Sequence, residues 1–181
     1  MRMLVVLLVV VSGLAVVVAR RPAEFRVERT TVIAAPPAAV FAQVNDFHRW
    51  QAWNPWGKMD PSMTQRFEGS AAGAGAVYTW SGNRQVGEGR MTIVDSRPDE
   101  LIRIRLEFLK PLPGESVAEF TFAPQNGSTL VTWRMAGTNS FLAKAIHLAI
   151  NMDRMIGGQF DRGLADMKAV VEAAPPGEPR S

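Results

Sequence analysis

Residues 25–56 read FRVERTTVIAAPPAAVFAQVNDFHRWQAWNPW. Phe25–Ala34 alternates and is rich in β-branched residues, which predicts a strand. Pro36-Pro37 ends it, and Pro37 can open a helix because its missing N–H is not needed there. Val40, Phe41 and Val44 then fall at helical spacing. Asp46–Trp53 reads as a second short helix that Asn54-Pro55 stops.

Beyond this opening come six strand-like runs: Met63–Phe67, Val77–Trp80, Val86–Val94, Leu101–Leu109, Ser116–Phe122 and Ser128–Met135. Turn residues separate them, and Asn126-Gly127 is the strongest hairpin signal, since both residues tolerate positive φ. Strands so close in sequence should form an antiparallel meander. Thr138–Ser140 supply N-cap residues for a long helix over Phe141–Ala173. Its apolar face runs through Leu142, Ile146, Ala149, Met152, Ile156, Phe160, Leu164, Met167 and Val171. Gly157-Gly158 interrupts it, which a bend or a close approach to the sheet would explain. A curved sheet needs a cover for its apolar face, and this helix is long enough to provide one.

The chain has 181 residues, 47% hydrophobic and 20% charged, and so is long enough for one domain with a real core. The net charge of +3 resides in Arg2, Arg20 and Arg21, which flank the N-terminal apolar run. The remaining Lys+Arg balance the Asp+Glu, so no basic stripe for nucleic acid is expected. With no cysteine, disulfides and thiolate metal sites are excluded. His48 and His147 lie far apart in sequence, so no metal site is expected.

Met3–Ala19 carries no charge, and a helix of that length spans a bilayer core marginally. A cleaved signal peptide is the alternative, but the run exceeds the usual apolar length of one. The expected organisation is an anchor over 1–21, a domain over 22–174 and a flexible tail over 175–181. Arg20, Arg21, Arg26 and Arg29 trail the segment, so the positive-inside rule favours a cytoplasmic domain, with export after signal cleavage as the alternative.

The order of elements and several motifs resemble the START-like (SRPBCC) superfamily, in particular polyketide cyclase/dehydrase-like proteins. The matching stretches are Val27–Trp56, VGEGRMTIVDSRP at Val86–Pro98, LEFLKP at Leu106–Pro111, STLVTWRMAG at Ser128–Gly137 and DRMIGGQFDRGLADMK at Asp153–Lys168. The resemblance implies an α+β helix-grip fold: a curved seven-stranded antiparallel sheet around a long C-terminal helix, with two short helices after the first strand. It implies a cavity for a hydrophobic small molecule, lipid-like or polyketide-like. It transfers no catalytic residue and no cofactor, and leaves any protein partner open. A cyclase/dehydrase-type enzyme and a client-protein interaction domain are the alternatives.

The expected ligand-binding residues are Trp53, Trp56, Trp80, Glu88, Trp133, Met152 and Phe160. Trp50, Trp53 and Trp56 either rim a cavity or plug the open end of the sheet. Glu88 either projects into the cavity with a raised pKa or sits on the solvent face paired with a cation. The alternation of Glu107 and Arg134 places both on the solvent face. Met152, Met155 and Met167 could line an adaptable pocket or simply pack the core. Gly87 and Gly89 read as sheet-bending positions.

Overall fold

In the computed structural model, residues 2–146 and 152–173 are described, except for the side chains at 2, 4–11, 142, 146 and 152. The elements are α1 (Arg2–Arg20), β1 (Glu24–Ile33), α2 (Pro37–Asn45), a 3-10 helix (Phe47–Ala52), α3 (Pro55–Met59), β2 (Thr64–Gly69), β3 (Ala76–Ser81), β4 (Glu88–Arg97), β5 (Leu101–Lys110), β6 (Gly114–Gln125), β7 (Ser128–Thr138), α4 (Phe141–Ile146) and α5 (Met152–Glu172). The seven strands form one antiparallel sheet in the order β1-β7-β6-β5-β4-β3-β2. The meander runs from β2 to β7, and β1 closes on β7 at the far edge.

Alternation decides which face is which. Val131, Trp133 and Met135 on β7, and Ala118, Phe120 and Phe122 on β6, are buried beneath α2 and α5. The opposite face carries charge. Arg134 donates to Glu28 (2.7 Å) and Glu119 (3.1 Å), and Arg103 pairs with Glu119 (3.0 Å) and Asp95 (3.6 Å). These pairs cross the sheet from β1 to β4, and place Arg134 on the solvent face as expected.

Two local readings are corrected. Asn54 does not simply stop the second short helix; its Oδ1 accepts from the Trp56 backbone N–H (3.1 Å) and caps α3, with Pro55 at the first helical position. The preceding turn is a 3-10 helix, capped by Asp46 through the His48 N–H (2.8 Å). The expected helix over Phe141–Ala173 is described in two parts, α4 and α5. Ala149 and His147 lie outside the described residues, as does the 175–181 tail.

Several features explain how the helix meets the sheet. Asn126 (φ 49°) and Gly127 (φ 81°) form the hairpin turn their sequence predicts. A Cβ at Gly157 would overlap the Arg29 guanidinium, so this glycine marks a close approach. Arg29 crosses from β1 to bind Asp153 (3.0 Å) and Asp161 (3.3 Å) on α5. Further along, Lys168 Nζ donates to the Val32 carbonyl (2.7 Å) and the Ala34 N–H donates to Glu172 (2.7 Å). Helix α5 is thus fixed along β1 at both ends.

Among the described residues, no helix is long and apolar enough to cross a membrane. The Met3–Ala19 segment falls in α1, where the side chains at 4–11 lie outside the described residues. The end of α1 is tied to the domain: Lys144 on α4 donates to the Arg21 carbonyl (3.2 Å), and the Asn139 N–H to that of Ala23 (2.7 Å).

Candidate functional site

A partly enclosed cavity of about 140 Å³ lies between the sheet and α5. Strands supply Tyr78 and Trp80 from β3, Met91 from β4, Leu106 and Phe108 from β5, and Ala118 from β6. Trp133 and Met135 on β7 and Ile156 and Phe160 on α5 complete two sides. The 3-10 helix and α3 bring Trp50, Asn54 and Trp56 over the end. The rest of the wall is Met63 and Val86. The inner phase of each strand makes this wall, because only that phase faces α5.

Trp133 is the centre of the site. Its indole stacks on Phe160 (centroids 4.0 Å, planes at 9°) and on Phe120 (4.8 Å, 28°). Trp50, Trp53 and Trp56 meet it edge-on at 5.8–6.3 Å. The Trp50 indole donates to the Val44 carbonyl (3.0 Å), and that of Trp53 to Gln43 (3.2 Å). Those bonds fix the two rings against α2. Trp80 donates to Val86 (3.3 Å) and lies across Gly89, where a Cβ would overlap its ring. Gly89 sits at a register shift between β4 and β5, so it both bends the sheet and makes room for a wall residue. Gly87 lies in the turn before β4, with φ 70°.

Of the expected ligand-binding residues, Trp56, Trp80, Trp133 and Phe160 line the cavity. Trp53 is fully buried behind Trp50, as core rather than lining. Trp50 takes the lining position instead. The Met152 side chain lies outside the described residues. Met155 is exposed and Met167 is buried core.

The cavity role read for Glu88 is corrected: it faces outward and binds Lys110 (2.9 Å), and that bond holds its carboxyl below the usual range rather than raising it. The inner phase of β4 belongs to Gly89, Met91 and Ile93. His48 stacks on Phe67 at 4.1 Å with Nδ1 against Asp46 (3.0 Å), outside the cavity.

Tyr78, Met91 and Met135 were not singled out in sequence, although Tyr78 shares a strand phase with Trp80 two residues on. Burial pushes the Tyr78 phenol from 10 up to about 12. Between those values the unfolded chain releases a proton that the folded protein keeps. Stability is therefore unaffected below pH 10 and falls as pH rises to 12, by about 2–3 kcal/mol from this group. Urea unfolding of wild type and Tyr78→Phe at pH 9.5 and 11.5 checks this. Equal alkaline losses in both proteins would show that Tyr78 is not held neutral by burial.

The chain superposes on the crystal structure of protein CV1439 from Chromobacterium violaceum with a TM-score of 0.60, at 20% identity, over 85% of this chain and 100% of that one. Protein MLL2253 from Mesorhizobium loti gives 0.60 at 14% identity, over 83% and 99%. The Aha1 dimer from Colwellia psychrerythraea gives 0.57 at 14%, over 82% and 97%. At these identities the likeness concerns the fold alone. A search of curated proteins gave no match. The sequence profile of the family described as polyketide cyclase / dehydrase and lipid transport matches residues 24–172, from the first residue of β1 to the last of α5. With its helix-grip architecture and most of its length matched, the chain belongs to that family.

Proposed function

We propose that the protein is a membrane-tethered binding or carrier domain for a hydrophobic small molecule held between the sheet and α5. The observation that carries this reading is the cavity: about 140 Å³, walled by aromatic, aliphatic and methionine side chains, with Asn54 and Tyr78 as its polar residues apart from the indole N–H groups. Size narrows the occupant. An engineered dry cavity of about 150 Å³ accepts benzene, whereas drug-sized ligands occupy roughly 300–1,000 Å³. A single ring or a short aliphatic chain fits; a whole lipid or a multi-ring polyketide requires the wall at Trp56 and Ile156 to move.

A cyclase/dehydrase activity would require convergent acid and base groups. Among the described residues of the wall the titratable group is Tyr78, which burial makes less acidic. The wall therefore favours binding over proton transfer.

Two observations support the tether. The described apolar side chains of α1 include Leu14, Val16 and Val17, each at least half exposed, and a helix apolar all round calls for an apolar cover. The second is position. Glu24 pairs with Thr138, Ser116 with Gly137, Phe108 with Gly114, and Glu88 with Lys110, so these ends share one rim of the sheet. Segment α1 leaves from that rim, and the cavity residues Val86, Phe108 and Met135 lie near it. The exposed Leu109, Leu112, Phe141 and Met155 are at the same end. This arrangement would hold the cavity next to the bilayer, and the arginines after α1 favour the cytoplasmic side.

Native mass spectrometry of the full chain tests the reading. Retention of an apolar molecule of one-ring size, released on unfolding, is expected. A ligand-free protein from every host, which also takes up no ethylbenzene, would count against it.

A further inference from the structure

Four hydrogen-bond donor groups of the cavity-lining residues have no partner among the described residues: the Asn54 amide, the Tyr78 hydroxyl and the indole N–H groups of Trp56 and Trp133. Asn54 uses its Oδ1 to cap α3, and its amide NH₂ has no partner among the described residues. The Tyr78 hydroxyl likewise has none, and burial is the sole cause of its shifted pKa. The Trp133 Nε1–H is buried and unpaired. By contrast, the neighbouring indoles of Trp50 and Trp80 are both bonded to carbonyls. A buried donor left unpaired is destabilising, so native proteins leave few, and those few call for an explanation. The fully buried one here is Trp133 Nε1, and Asn54 and Tyr78 line the same cavity with their donors open to it.

The wall is also selective in charge. No Lys, Arg, His, Asp or Glu is among the described residues lining it. An anion would enter without a counter-charge and a cation without a carboxylate, and each would lose its hydration uncompensated. What is open in the wall is donors, and what they require is an acceptor.

We infer that the cavity selects a neutral molecule of about one-ring size bearing a hydrogen-bond acceptor, such as a ketone or ester carbonyl, anchored by Tyr78 and Asn54 beside Trp133. This rests on the proposed binding role and specifies its ligand class. The aromatic faces hold the apolar body, and the donors orient the oxygen. A phenol is protonated at physiological pH even at its ordinary pKa of about 10, so the Tyr78 O–H is a donor there.

Isothermal titration of the full chain at pH 7 with acetophenone, ethylbenzene and benzoate tests the inference. The first two share a skeleton and differ by the carbonyl; the third adds a charge. Acetophenone is expected to bind about tenfold more tightly than ethylbenzene, and benzoate more weakly than either. Tyr78→Phe should lower the ketone-over-hydrocarbon ratio about fivefold. Asn54→Asp keeps the acceptor that caps α3 and removes the amide donors, and should also lower the ratio. Ethylbenzene binding as tightly as acetophenone would overturn the inference and leave the hydrophobic-binding reading standing, the open donors then serving water. Tightest binding of benzoate, or an unchanged ratio in both variants, would overturn it too. If none of the three binds, the inference and the binding role fall together.

Discussion

Trp133→Ala is expected to destabilise the protein by about 3–5 kcal/mol, the range for removing a large aromatic side chain from a packed core. For a domain of this size that corresponds to a fall in Tm of roughly 6–20 °C. The ring of Trp133 lies between Phe160 of α5 and Phe120 of β6, with three other indoles edge-on around it. Its removal would separate helix from sheet at their closest stacking and enlarge an existing void. The surroundings cannot simply collapse inward, because Trp50 and Trp53 are held to α2 by their own hydrogen bonds.

A second substitution separates packing from polarity. Trp133→Phe keeps an aromatic face for Phe160 and removes the unpaired Nε1–H. Loss of packed volume and loss of an unsatisfied donor then oppose each other, and the net change should stay within about 1.5 kcal/mol. Thermal unfolding followed by circular dichroism measures both variants. A small effect of Trp133→Ala, close to that of Trp133→Phe, would mean that the stacked rings do not hold the helix to the sheet.

Much of this fold is legible in the chain because its signals are local. The Phe25–Ala34 alternation, Pro37 at a helix start and Asn126-Gly127 each depend on a few adjacent residues. The wall of the site is only half legible. Trp80, Trp133 and Phe160 stand out by size, and the phase of their elements turns them inward. Glu88 fails as a cavity residue for a definite reason. Both phases of Val86–Val94 contain apolar side chains, and a register shift at Glu88/Gly89 breaks the alternation. The choice between Trp50 and Trp53 depends on which backbone carbonyl each indole reaches on α2, a tertiary fact with no periodic signature. Asn54 is similar: its capping role is visible in Asn-Pro, whereas its place on the cavity wall is not. The network from Glu28 to Asp95 needs the register of five strands before any pair can be named.

The role of the cavity can also be tested by adding to its wall rather than removing from it. Ala118→Phe should abolish binding of ethylbenzene and acetophenone, a loss of at least about 100-fold, while Tm stays unchanged or rises. Ala118 is buried on β6, opposite Ile104 of β5 and Met135 of β7, and its side chain faces the cavity. A phenyl ring placed there enters a space of about 140 Å³, comparable with the roughly 150 Å³ that accepts benzene. The new ring would take the place of the ligand and make the same contacts, so burial should offset the entropy of ordering it. In a solid core the same change would force neighbours off their rotamers and cost about 1–3 kcal/mol. The two readings therefore predict opposite signs for stability and different outcomes for binding. A destabilised Ala118→Phe protein would mean that the space beneath α5 is already filled. A stable one that still binds both probes at wild-type affinity would mean that they bind elsewhere.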